Sequence, residues 1–88
     1  MTEHPRRKIL HLFVDELEQA EKAFNNCATR QLLYDEYGER IGRAYGIRKT
    51  GLIYHEDSIE SKLCIERWYQ WHLKDISYLY NKRRAELL

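Results

Sequence analysis

The sequence has few of the residues that build loops or covalent crosslinks. Its 88 residues include one proline and four glycines, which leaves little material for a loop-rich fold. Two cysteines, Cys27 and Cys64, are too few for a disulfide framework, and both fall within helical patterns. We therefore expect buried free thiols in a fold made of regular elements.

Long apolar runs and an excess of one charge are also missing. No apolar run approaches the roughly 20 residues that a membrane span needs, and the mean hydropathy is −0.75. Lys and Arg total 15 against 14 acidic residues, so the formal net charge is +1. Since no strong global field exists, net charge predicts neither nucleic acid nor an anionic membrane as partner.

The N-terminal segment lacks the features of a targeting sequence. A basic start is followed too early by acidic residues for a signal peptide, and this acidity argues against a transit peptide. The acidic residues are Asp15, Glu16, Glu18 and Glu21. We therefore expect a mature, cytoplasmic protein without membrane contact.

The composition is that of a globular chain, with 43% hydrophobic, 33% charged and 12% aromatic residues. Its length allows one domain, which we place over residues 1–88. From about Pro5 to Asn26, apolar residues recur at three- and four-residue spacing and predict a first helix. Its apolar face consists of Ile9, Leu10, Phe13, Val14, Leu17, Ala20 and Phe24.

A second helix is predicted from about Arg30 to Tyr45, with Thr29 as its N-cap and Gly46 as its C-cap. Its apolar stripe consists of Leu33, Tyr37, Ile41 and Ala44, widened by Tyr34 and Tyr45. Residues 46–56 then serve as a connection. Within 47–56 the sequence allows either a short hairpin or an extra helical turn. The hairpin is included because residues 52–54 favour a strand by propensity.

The third and longest helix is predicted from about Asp57 to Glu86, where Asp57 and Glu60 have capping-box spacing. Its wide apolar stripe consists of Ile65, Trp68, Tyr69, His72, Leu73, Ile76, Leu79 and Tyr80. The fold class is therefore all-α, a small three-helix bundle with a long C-terminal helix. Part of that helix should project beyond the core, which favours a homodimer or a partner protein.

A second line of side chains on the third helix predicts a binding surface. Cys64, Trp71 and Tyr78 are seven residues apart and form a ridge roughly opposite the buried face. Exposed aromatic residues beside an arginine are typical of protein–protein hot spots. The alternative is that neighbouring helices bury this side too. We assign the interaction residues as Arg67, Trp71, Lys74 and Tyr78.

The stretch from Ile41 to Leu52 resembles the helix-turn-helix signature of small bacterial and phage DNA-binding regulators. Gly42 stands where a small residue packs beneath the second helix, Gly46 at the turn, and Leu52 at an inward position. The resemblance implies that DNA is contacted by Arg40, Arg43, Arg48, Lys49 and Thr50. The alternative is a helix C-cap with a tight connection and arginines on a solvated face.

Catalytic and metal-binding patterns are not found in the sequence. Histidines at positions 4, 11, 55 and 72 have no metal-ligand spacing, and no nucleophile has an evident base. We predict no enzyme activity, no cofactor and no metal. The sequence favours a small helical protein-interaction module, an adaptor or regulator that acts through its long C-terminal helix and self-associates. The alternative is a DNA-binding transcriptional regulator.

Overall fold

The computed structural model describes residues 4–87 and forms three helices. These are α1 (Arg7–Asn25), α2 (Arg30–Tyr54) and α3 (Ile59–Glu86). Between residues 4 and 87 there is no strand. The prediction of a small all-α bundle with a long C-terminal helix is confirmed.

Helix α1 follows from the spacing of its apolar residues. Ile9, Phe13, Ala20 and Phe24 are buried, whereas Val14 from the same predicted face stays exposed. The predicted N-cap of α2 is also correct, since Thr29 Oγ1 accepts a hydrogen bond from the Leu32 N–H at 3.1 Å. The cysteines differ from expectation, because both are half-buried rather than buried.

Helix α2 is longer than the sequence predicts. Gly46 is not a C-cap, and residues 47–54 continue the helix instead of forming a hairpin or a connection. Tertiary packing explains the continuation, because buried Gly51 lies against Ile9 and Ile65. A Cβ at position 51 would be 3.1 Å from Ile9 Cγ2, so glycine permits this close approach. The resulting burial offsets the roughly 1 kcal/mol that each glycine costs a helix.

Helix α3 begins at Ile59, two residues after the predicted start, and its N-cap is Ser58 rather than Asp57. The Ser58 hydroxyl accepts a hydrogen bond from the Ser61 N–H at 3.1 Å. Serine and aspartate are comparable N-caps, so the sequence pattern does not choose between neighbours. The predicted apolar stripe is confirmed, with Ile65, His72 and Ile76 buried and the remaining members half-buried.

The helices run up, down and up, so α1 and α3 are parallel. At one end Gly51 meets Ile9 and Ile65. At the other end the Phe24 ring lies 6.4 Å from both Tyr37 and Tyr80. The connections are residues 26–29 and 55–58.

The expected projection of α3 beyond the core is wrong. Helix α2 accompanies α3 along its length, and Arg30 Nε donates a hydrogen bond to the Leu87 carbonyl oxygen at 3.0 Å. At the opposite end, Arg6 pairs with Glu60 at 3.3 Å. The difference arises because α2 extends to Tyr54 instead of ending at Tyr45.

Candidate protein-binding face between α1 and α3

At Trp71 and Tyr78 the predicted ridge borders the groove between α1 and α3. Trp71 is 55% exposed and Tyr78 is 66% exposed, whereas Cys64 is half-buried. At 100° per residue, Trp71 stands about 100° around the helix from buried His72 and about 140° from buried Ile76. The seven-residue spacing correctly aligns these side chains, but it carries no information about which neighbouring helix they face.

Trp71 lines an apolar hollow in the groove between α1 and α3. The hollow has a volume of about 120 Å³, below the roughly 300–1,000 Å³ of small-molecule sites. Its walls come from both helices: Leu10, Phe13, Val14, Leu17, Trp68, Trp71, His72 and Asp75. This size suits an inserted apolar side chain better than a whole substrate.

His72 lies buried beside this hollow. It is 4% exposed, and the Phe13 ring centroid is 5.2 Å from its own. Its Nε2 has no hydrogen-bond partner within the described part of the chain. Burial lowers the pKa of His72, although Glu16 and Asp75 oppose this shift. The imidazole is therefore neutral at neutral pH, and the hollow keeps an apolar character.

Tyr78 lines a second, polar hollow further along the same groove. This hollow has a volume of about 560 Å³ and is lined by Glu21, Phe24, Asn25, Tyr78, Leu79, Lys82, Arg83 and Glu86. Arg83 is already engaged there, because it donates to the Glu86 carboxylate at 3.0 Å and to the Cys27 carbonyl oxygen at 2.9 Å. The groove thus has an apolar half at Trp71 and a polar half at Tyr78.

Four exposed charged side chains flank Val14 and Trp71 along their own helices, and of these Asp75 lines the apolar hollow and Glu21 the polar one. Arg7 and Glu21 belong to α1, whereas Arg67 and Asp75 belong to α3, and all four are exposed. None of the four forms an ion pair with another residue in the range 4–87. Two of the four predicted interaction residues, Arg67 and Lys74, are exposed but line neither hollow.

Two arginines assigned to DNA by the helix-turn-helix resemblance are paired within the chain. Arg40 contacts Glu16 and Glu36, each at 2.9 Å. Glu16 is 6% exposed, and these carboxylates hold the pKa of Arg40 above its usual value despite opposing desolvation. Arg43 pairs with Glu39 at 3.0 Å on the surface. Sequence reasoning missed the link from Arg40 to Glu16, because the residues are far apart in the chain.

Arg48 is similarly occupied between α2 and α3. It pairs with Glu66 at 2.6 Å, and its guanidinium carbon lies 5.9 Å from the Tyr45 ring centroid and 5.4 Å from that of Tyr69. Only Lys49 and Thr50 of the assigned DNA residues are exposed without an ion pair among residues 4–87. The turn implied at position 46 is replaced by continuous helix.

Comparison with family models, curated proteins and solved structures found no match to this chain. Across residues 4–87, no group of three His, Cys, Asp or Glu side chains is arranged to hold a metal ion. In the same range, no helix combines the length and apolar character that crossing a membrane requires.

Proposed function

We propose that this protein is an interaction module that docks another protein chain on its α1–α3 face. The observation that carries the proposal is Trp71, which is 55% exposed at the edge of an apolar hollow. Tryptophan is enriched among residues that dominate binding energy, especially where neighbouring apolar groups exclude water. Val14 and Leu17 supply such neighbours from α1.

A specific interface needs only a small part of the surface of this chain. Stable interfaces bury roughly 800 Å² on each partner, about an eighth of the 6354 Å² accessible surface of this chain. One face of a three-sided bundle can supply that area. An apolar centre with charges at its rim also matches the usual anatomy of protein interfaces.

Tyr54 provides a matched control for Trp71. It is 80% exposed on α2 and lines neither hollow of the α1–α3 groove. If aromatic exposure alone caused association, Tyr54 would take part as readily as Trp71. The proposal requires that only the residue within the apolar groove does so.

Photo-crosslinking in host cells tests the proposal. The full chain would carry a benzophenone amino acid at position 71 or at position 54, and helical folding of both would be checked by circular dichroism. We expect covalent protein adducts from position 71 and few from position 54. Equal yields at the two positions, or no adduct from position 71, would overturn the proposed function.

A further inference from the structure

Building on the proposed function, we infer that the occupant of the α1–α3 face is a second copy of this chain. The two copies dock antiparallel about a two-fold axis that passes at the height of Val14 and Trp71. The inference rests on the positions of four charged side chains along α1 and α3, none of which forms an ion pair within residues 4–87. Their spacing makes the face complementary to itself.

Val14 and Trp71 lie at the same height in the bundle. The Phe13 ring centroid is 6.4 Å from that of Tyr69 and 5.2 Å from that of His72. Helices α1 and α3 are parallel, so one residue further along α1 corresponds to one residue further along α3. A two-fold axis crossing both helices there sets α1 against the second α1, and α3 against the second α3, in reversed directions.

Charges on α3 are complementary under this operation. Arg67 precedes Trp71 by four residues and Asp75 follows it by four, a rise of about 6 Å in each direction. Antiparallel docking therefore places Arg67 opposite Asp75 of the second copy, and Asp75 opposite its Arg67. Two attractive contacts arise from a single spacing.

Charges on α1 repeat the arrangement with a wider spacing. Arg7 precedes Val14 by seven residues and Glu21 follows it by seven, a rise of about 10.5 Å in each direction. Since seven residues are nearly two helical turns, all three side chains share one side of α1. Antiparallel docking therefore places Arg7 of each copy opposite Glu21 of the other.

Parallel docking lacks this complementarity. It would set α1 against α3 of the second copy, with Glu18 at the height of the opposing Asp75. Two carboxylates would then face each other, which disfavours that arrangement.

In the antiparallel dimer, Val14 and Trp71 each meet their own counterparts at the centre. Burial of these apolar groups supplies affinity, while the rim charges select the register.

Sedimentation velocity of charge-reversed chains tests the register. We expect the wild-type chain to dimerise, and Arg67→Asp or Asp75→Arg to weaken dimerisation by about tenfold or more. An equimolar mixture of these two variants should regain dimerisation. One chain of the mixed pair carries acids at both positions and the other carries bases at both, so both contacts become attractive. Arg43→Asp on the outer side of α2 serves as the control and should dimerise like the wild type.

Two results would overturn the inference. One is a wild-type chain that stays monomeric up to about 100 µM, a concentration that corresponds to weak association. The other is a mixture of Arg67→Asp and Asp75→Arg that stays monomeric. The crosslinking experiment distinguishes a failure of the dimer inference from a failure of the proposed docking function. Adducts at position 71 that contain only other proteins would preserve docking at this face while excluding a second copy, whereas no adduct would refute docking itself.

Discussion

The two flanks of α3 use their charges differently. On the flank facing α2, Arg48 pairs with Glu66 and lies against the Tyr45 and Tyr69 rings. On the side that carries Trp71, Arg67 and Asp75 lie one helical turn before and after it, without an ion pair among the described residues. These contacts of Arg48 therefore join α2 to α3. In the proposed complex, Arg67 and Asp75 pair instead with a second chain.

The largest expected effect comes from breaking the buried pair between α1 and α2. Arg40→Met removes the partner of Glu16, whose side chain is almost fully buried. We expect a loss of about 3–5 kcal/mol in the free energy of unfolding, because an unpaired buried carboxylate remains. Urea denaturation followed by circular dichroism measures this loss.

The surface pair between Arg43 and Glu39 is the matched control. Arg43→Met should cost less than about 1 kcal/mol, since exposed ion pairs contribute little. Adding Glu16→Gln to Arg40→Met should recover part of the stability. Equal losses from Arg40→Met and Arg43→Met would contradict a structural role specific to Arg40.

The inner and outer sides of α2 provide a second contrast. A Cβ at Gly51 would lie 3.1 Å from Ile9 and 3.2 Å from Ile65, whereas one at Gly42 would meet no atom within 4 Å. We expect Gly42→Ala to stabilise the fold by about 1 kcal/mol through helix propensity. Gly51→Ala should destabilise it by about 1 kcal/mol, because overpacking outweighs that gain. Urea denaturation measures the free energy of unfolding of both variants. If both substitutions stabilise the fold, the close packing at position 51 is refuted.

The pH dependence of stability tests the environment of His72. Burial lowers its pKa in the folded state, so the unfolded chain takes up a proton first as the pH falls. The charged groups near it are Glu16 from α1 and Asp75 from α3, with Arg40 of α2 held on Glu16. The contribution of His72 to the free energy of unfolding is fully present above the pKa of about 6.5 that histidine has in the unfolded chain. It declines below that pH, by at most about 1.4 kcal/mol per pH unit.

Urea denaturation between neutral and mildly acidic pH measures this decline. His72→Leu should flatten it, whereas His4→Gln should retain it because His4 is exposed. An unchanged pH dependence in His72→Leu would show that other groups cause the decline. The comparison thereby reports whether the α1–α3 hollow holds a neutral imidazole.

Much of the fold could be predicted because α1 and α3 carry regular apolar spacing. Ile9, Phe13 and Phe24 recur at helical intervals, and buried Ile65 and Ile76 do the same. The end of α2 could not be predicted from local pattern. Glycine at positions 46 and 51 favours a stop locally, but packing against α1 and α3 continues the helix.

The candidate site was predictable in part. The spacing of Trp71 and Tyr78 predicts their common side on α3, and the structure leaves both exposed. The apolar neighbours of Trp71 come from α1, and this proximity depends on the parallel arrangement of two distant segments. The buried pair of Glu16 and Arg40 depends on the same kind of long-range placement. Periodicity within one helix contains no information about such pairs.

The up-down-up order determines when the proposed docking face forms during folding. No loop joins α1 directly to α3, so neither pair of consecutive helices contains the whole Trp71 groove. The groove is complete only once all three helices have assembled. A chain that binds there selects the native state over every partly folded form. Its binding free energy therefore adds to the global stability of the bundle and increases with the concentration of the binding chain.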